Sequence, residues 1–185
     1  MRKATMLAHI PPSRWWLRRL LPTAAAFLLL ACATGQAPPL AVVPQVELAR
    51  YMGTWYEIAS YPTWFQKGCA ASTAAYVLNP DGTVDVLNQC RKDGEIVAAR
   101  GTAWAPDPSV PAKLRVRFFW PFSGDYWIID LGSDYEYAVV GHPSRDYLWV
   151  LSRTPRMEAD LYARILARLQ RNGYDPSRLV RTPPA

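Results

Sequence analysis

Three cysteines, two histidines and one acid on a strand carry most of the reactive chemistry this chain offers. Cys69 and Cys90 flank Asn79-Pro80-Asp81-Gly82, a turn-forming run. The β-branched and apolar segments on either side, 71–78 and 83–91, predict a hairpin. Counting outward from its turn sets Cys69 roughly opposite Lys92. Cys90 is then about two positions out of register, a mismatch that a bulge or a peeling strand end absorbs. A Cys69–Cys90 disulfide is the expected pairing in an exported protein. The alternative, a thiol nucleophile, needs a nearby base, and no histidine stands close. His142 is the only histidine outside the N-terminal segment, since His9 lies within it, so neither metal site nor cofactor is expected. No Ser-His-Asp set, paired catalytic acids or phosphate loop stands out.

The elements that position these residues begin with a leader. Residues 1–31 hold five basic residues and no acid. They end in an apolar run from Leu20 to Leu30, too short for a spanning helix but suited to a secretory signal. The rest of the chain has 16 basic against 15 acidic residues, and no basic stripe interleaved with aromatics suggests a nucleic-acid partner. Leu29-Leu30-Ala31-Cys32 resembles the lipobox of bacterial lipoproteins, in which the cysteine is acylated and becomes the N-terminus. That resemblance implies a membrane anchor at Cys32, and Ala33 after it implies sorting to the outer membrane. Residues 32–46 read as a flexible, Pro-rich tether, and 47–182 as the folded domain.

Beyond Leu48 the chain reads as short strands at a spacing near ten residues, with Gly, Pro or Asp between them. The predicted strands are 54–61, 71–78, 83–91, 96–105, 113–119, 126–131, 136–141 and 147–153, a pattern for an up-and-down barrel or a sandwich. In 114–118, Leu114, Val116 and Phe118 alternate with Arg115 and Arg117, as a half-buried strand requires. A helix is predicted over 157–170, with Leu161, Ile165 and Leu169 on one stripe and Asn172-Gly173 as its stop.

Gly53-Thr54-Trp55-Tyr56-Glu57-Ile58-Ala59 resembles the Gly-x-Trp signature that opens the first lipocalin strand. Tyr147-Leu148-Trp149-Val150-Leu151-Ser152-Arg153-Thr154-Pro155 resembles that family's last-strand motif, and Ser133-Asp134-Tyr135 the Thr-Asp-Tyr element before its seventh strand. Asp146-Tyr147-Leu148-Trp149 and Trp120-Pro121-Phe122-Ser123-Gly124 bring the likeness nearest to the bacterial outer-membrane lipocalins, themselves similar to apolipoprotein D. The resemblance covers about residues 47–180. It implies an all-β fold: an eight-stranded antiparallel up-and-down barrel with one C-terminal α-helix packed outside. It also implies that Trp55 and Arg153 meet as a structural pair at the barrel floor.

Strand parity assigns the remaining roles. Side chains two apart share a face, so Tyr147, Trp149, Leu151 and Arg153 fall together, as do Trp55, Glu57, Ala59 and Tyr61. If both sets face inward, Trp149, Tyr147, Glu57, Ala59 and Tyr61 are the expected ligand contacts. An inward Glu57 needs a partner, expected in Arg153 or a tyrosine hydroxyl, with contact to a ligand headgroup as the alternative. The apolar run Phe118–Phe122 reads equally as core, cavity mouth, homodimer surface or membrane-dipping site. The favoured function is binding of a fatty acid or lysophospholipid in the barrel. An envelope protein with a filled barrel and an enzyme built on Glu57 or a thiol are the alternatives.

Overall fold

The alternation that begins after Met52 produces eight antiparallel strands, seen in a computed structural model that describes residues 38–183. They are β1 (Gly53–Ser60), β2 (Ala70–Leu78), β3 (Val84–Lys92), β4 (Glu95–Trp104), β5 (Lys113–Phe119), β6 (Phe122–Leu131), β7 (Tyr137–Gly141) and β8 (Leu148–Ser152). Each pairs with its neighbour in sequence, and β1 pairs with both β2 and β8, which closes the barrel. Helix α2 (Ala159–Arg171) packs outside. A one-turn helix α1 (Leu48–Tyr51), a short strand β9 (Val180–Arg181) and two 3-10 turns at Trp64–Gln66 and Pro176–Arg178 were not foreseen. The leader and Cys32 lie outside the described residues.

Up-and-down connectivity sorts the connections onto two ends. At one end lie 61–69, 93–94, 120–121 and 142–147; at the other lie 79–83, 105–112 and 132–136. Helix α1 closes the second end with Tyr51, which is buried. The first end is the mouth.

Burial follows the two faces. Inward positions from most strands, with Val46 and Tyr51, form one cluster that includes Trp55, Tyr76, Val86, Leu114, Ile128 and Leu151. A second cluster lies between α2 and the outer wall, where Ile165 and Leu169 meet Val139, Leu148 and Val150. This explains why β7 is buried on both faces. Its central residues Val139 and Val140 face opposite ways, and each has a greasy layer to meet. Arg168 reaches across to Asp130 and the Tyr137 hydroxyl, fixing the helix on the wall.

Residues 40–46, expected in the flexible tether, belong to the packed domain. Leu40 is buried against the outer wall, Val46 in the barrel cluster, and the Val43 N–H donates to the Ile128 carbonyl at 3.0 Å. Pro residues made this stretch read as linker, but its Leu and Val side chains outweigh them. The Cys69–Cys90 disulfide is formed; the extra residue in β2 between Ala70 and Thr73 brings Ala70 opposite Arg91, and Cys69, which lies beyond the end of β2 with its N–H on the Gln66 carbonyl, crosses the remaining offset.

Candidate functional site

A register shift in β1 decides which expected site residues reach the interior. Against β8, Glu57 pairs with Leu151 but Ala59 pairs with Val150, so one extra residue sits on β1. A one-residue slip sends every later side chain to the opposite face. Trp55 therefore packs in the barrel cluster, whereas Ile58, Ala59 and Tyr61 pack with the outer layer. The expectation that Ala59 and Tyr61 line the cavity is corrected accordingly. Tyr61 instead exchanges hydrogen bonds with the Asp175 backbone, donating at 2.8 Å and accepting at 2.9 Å.

At the closed end, the Arg153 guanidinium carbon lies 3.8 Å from the centroid of Trp55. Arg153 also donates to the carbonyls of Arg50, Tyr51, Thr54 and Tyr135, while the Trp55 indole N–H donates to the Tyr51 carbonyl at 2.8 Å. Four backbone acceptors and a ring face use the whole planar fork.

Above that floor stand three tyrosines that parity had not singled out. The Tyr126 hydroxyl lies 2.8 Å from that of Tyr51 and 3.0 Å from that of Tyr76. Burial pushes all three phenols up, Tyr76 to about 12. They stay neutral at physiological pH. Three hydroxyls carry three protons, and the two mutual bonds use two, so the cluster keeps one proton to donate. Alternation along β2 and β6 could have found Tyr76 and Tyr126, but Tyr51 sits in the unforeseen α1.

Above the tyrosines the inward face of β3 and β4 opens, before Cys90 and Ser72 are buried again beside the disulfide. On β3 and β4 the cross-strand pair Val84 and Ala103 is buried, whereas Asn88 and Ala99, facing the same way higher up, are exposed. Small residues keep this face open at Ala74, Ala99 and Gly124. A side chain on Gly101 would meet the Phe118 ring at 2.8 Å, so glycine lets that ring lie across β4.

At the mouth, Glu57 is held by three neutral donors and not by Arg153 or a tyrosine, as expected from sequence. Ser60 Oγ donates at 2.9 Å, Gln66 Nε2 at 2.7 Å and Thr182 Oγ1 at 2.5 Å. The bulge creates this arrangement by bringing Ser60 back beside Glu57, and β9 delivers Thr182. Gln66 Oε1 accepts from the Trp149 indole N–H at 3.0 Å, so Trp149, Gln66 and Glu57 form one chain that pins the 61–69 loop to the barrel. Tyr147 stacks on Trp149, their planes 9° apart. Glu57, Ser60, Trp64, Gln66, Lys67 and Thr182 help line a cavity of about 510 Å³ at this end.

The comparisons with known proteins agree with this architecture. The family model described as a lipocalin-like domain matches residues 46–184. Temperature-induced lipocalin-1 of Arabidopsis thaliana is 44% identical over 151 residues, covering 77% of this chain and 81% of the relative. Outer membrane lipoprotein Blc of Escherichia coli K12 is 39% identical over 169 residues, covering 88% of this chain and 96% of the relative. Bovine apolipoprotein D is 37% identical over 152 residues, covering 74% and 78%. Among solved structures, insecticyanin from the tobacco hornworm aligns with a TM-score of 0.66 at 21% identity, covering 80% of this chain and 86% of that one. A barrel closed by Trp55 and Arg153, open at the other end and matched over nearly its whole length places this chain in the lipocalin family.

Proposed function

We propose that this lipocalin is a lipid-anchored carrier, acylated on Cys32 at the outer membrane, that holds a fatty acid or lysophospholipid in its barrel. The carrying observation is the change along the inward face, from a sealed floor through a neutral hydroxyl cluster to an open, small-residue upper wall. Burying an acyl chain there contributes about 0.8 kcal/mol per methylene and needs no directional contact. Lys67 and the Trp149–Gln66–Glu57 chain stand where a headgroup would emerge, and Lys67 supplies the cation for a carboxylate or phosphate.

Two observations favour binding over catalysis. Both described thiols are consumed in the disulfide, and the Glu57 carboxylate is engaged by three neutral donors that pin the 61–69 loop and the 180–182 segment to the barrel. For the anchor, a match to Blc covering 88% of this chain necessarily reaches across Cys32.

Native mass spectrometry of protein purified mildly from membranes tests the cargo. A bound single-chain lipid is expected, displaced by added oleate with a change in tryptophan emission that Trp149→Phe abolishes. A lipid-free spectrum together with no response to oleate refutes the carrier reading. The mass of the N-terminal peptide reports the acyl chains on Cys32, and an unmodified cysteine refutes the anchor.

A further inference from the structure

Ten large hydrophobic side chains are exposed among the described residues, and eight of them sit at the mouth. Trp64 and Phe65 on the 61–69 loop are 84% and 51% exposed. Ile96, beside the β3–β4 turn, is 67% exposed. Phe119, Trp120 and Phe122 on the β5–β6 turn are 77%, 83% and 78% exposed. Water penalises six such side chains on one rim, and a concentration of this kind marks a contact surface. The opposite end carries polar turns such as Asn79–Thr83, where Asn79 donates to the Thr83 hydroxyl and Asp81 accepts from the Thr83 N–H and hydroxyl.

The start of the packed chain lies at the same end. The Pro38 carbonyl accepts a hydrogen bond from Arg145, which sits in the mouth loop 142–147, and the segment then runs down the wall to Glu47 beside Tyr135 at the floor. Between Cys32 and Pro38 lie five residues, which extended span at most about 21 Å. A ten-residue strand tilted as barrels require places the floor roughly 25 Å farther from that exit.

From these placements we infer that the rim formed by Trp64, Phe65, Ile96, Phe119, Trp120 and Phe122 is a docking surface for a lipid bilayer. The mouth then faces the leaflet that holds the anchor. The occupant follows from the tether: an acylated Cys32, the reading proposed above, holds this rim and not the floor within reach of lipid. Indole rings have the amphipathic character that favours the headgroup layer. A carrier docked this way passes an acyl chain between leaflet and barrel without exposing it to water.

The test uses the mature protein from membranes, reconstituted into phosphatidylcholine vesicles with or without bromine on the acyl chains. Brominated lipid is expected to quench tryptophan emission, and Trp64→Phe with Trp120→Phe to remove at least about half of that quenching, since these interfacial rings stay apolar but lose the indole. Trp104→Phe, at the floor end of β4, leaves the quenching unchanged. The mass of the N-terminal peptide reports the anchor separately, so loss of the anchor and loss of docking are told apart. Quenching that the rim double variant retains overturns the inference, as does its absence in the wild type whichever mass is found. A rim occupied by a second copy also overturns it: Trp120→Ser would then turn a dimer into a monomer in sedimentation without altering the quenching.

Discussion

Replacing Tyr126 by Phe removes one oxygen from the barrel interior and keeps the ring. That oxygen is the shared partner of the Tyr51 and Tyr76 hydroxyls, at 2.8 and 3.0 Å. A buried hydroxyl left without a partner costs about 1–3 kcal/mol, so two of them cost about 2–6 kcal/mol, of which about 1 kcal/mol returns if the two reach each other or a water. At a domain size near 150 residues each kcal/mol moves Tm by about 3 °C, so the variant should melt about 3–15 °C below the wild type. Tyr51→Phe and Tyr76→Phe orphan no third ring, because Tyr126 keeps its other partner, and each should cost less than half as much. Circular dichroism melts of delipidated protein at neutral pH measure all three. A Tyr126→Phe melt within about 2 °C of wild type, or one no lower than that of Tyr51→Phe, would show that the hydroxyls are independently solvated and refute the reasoning.

Two further outcomes follow from the buried phenols and the disulfide. Burial raises Tyr76, Tyr137 and Tyr174 each to about 12, and raises Tyr51 and Tyr126 well above their ordinary value. Because the unfolded chain loses these protons near pH 10 while the native one keeps them, stability is fully present below pH 10 and drains away as pH rises toward 12. Urea midpoints from pH 8 to 11 should fall steadily above 10, and flat midpoints would contradict the burial. Replacing Cys69 and Cys90 by Ser opens a loop with a sequence separation of 21, which by loop entropy should lower stability by about 3 kcal/mol, read from the urea midpoint at constant slope.

Period-two alternation, the turn residues and the four-residue stripe of α2 were legible because each is a local property of the chain. Leu161, Ile165 and Leu169 announce a helix that covers something apolar, and the outer face of β7 and β8 is what they cover. The site was less legible because its geometry hangs on irregularities that alternation hides. One extra residue in β1 moves Ala59 and Tyr61 to the outer wall, yet nothing in Glu57-Ile58-Ala59-Ser60 distinguishes a bulge from a regular strand. Gln66 and Thr182 were beyond reach for another reason. They meet Glu57 only after the 61–69 loop folds back and β9 pairs with β1 beyond the bulge, contacts spanning 9 and 125 positions. Tyr51 was hidden because one turn of helix is too short to show a period.

The same bulge separates the two tasks of the barrel. Below it, β1 contributes Trp55 to the interior cluster and pairs with β2, and every inward side chain there has a partner in the core or in Arg153. Above it, β1 turns its apolar side chains outward to α2 and takes β9 as a neighbour, leaving Glu57 at the joint with its three neutral donors. The floor therefore supplies the packing that keeps the barrel closed, while the upper interior is free to carry alanine, glycine and asparagine, which stabilise little but leave room. A core packed evenly to the mouth would gain stability and lose the cavity. Confining the sealing contacts of Trp55 with Arg153 and Tyr51 to one end lets the fold stay closed while the other end stays open.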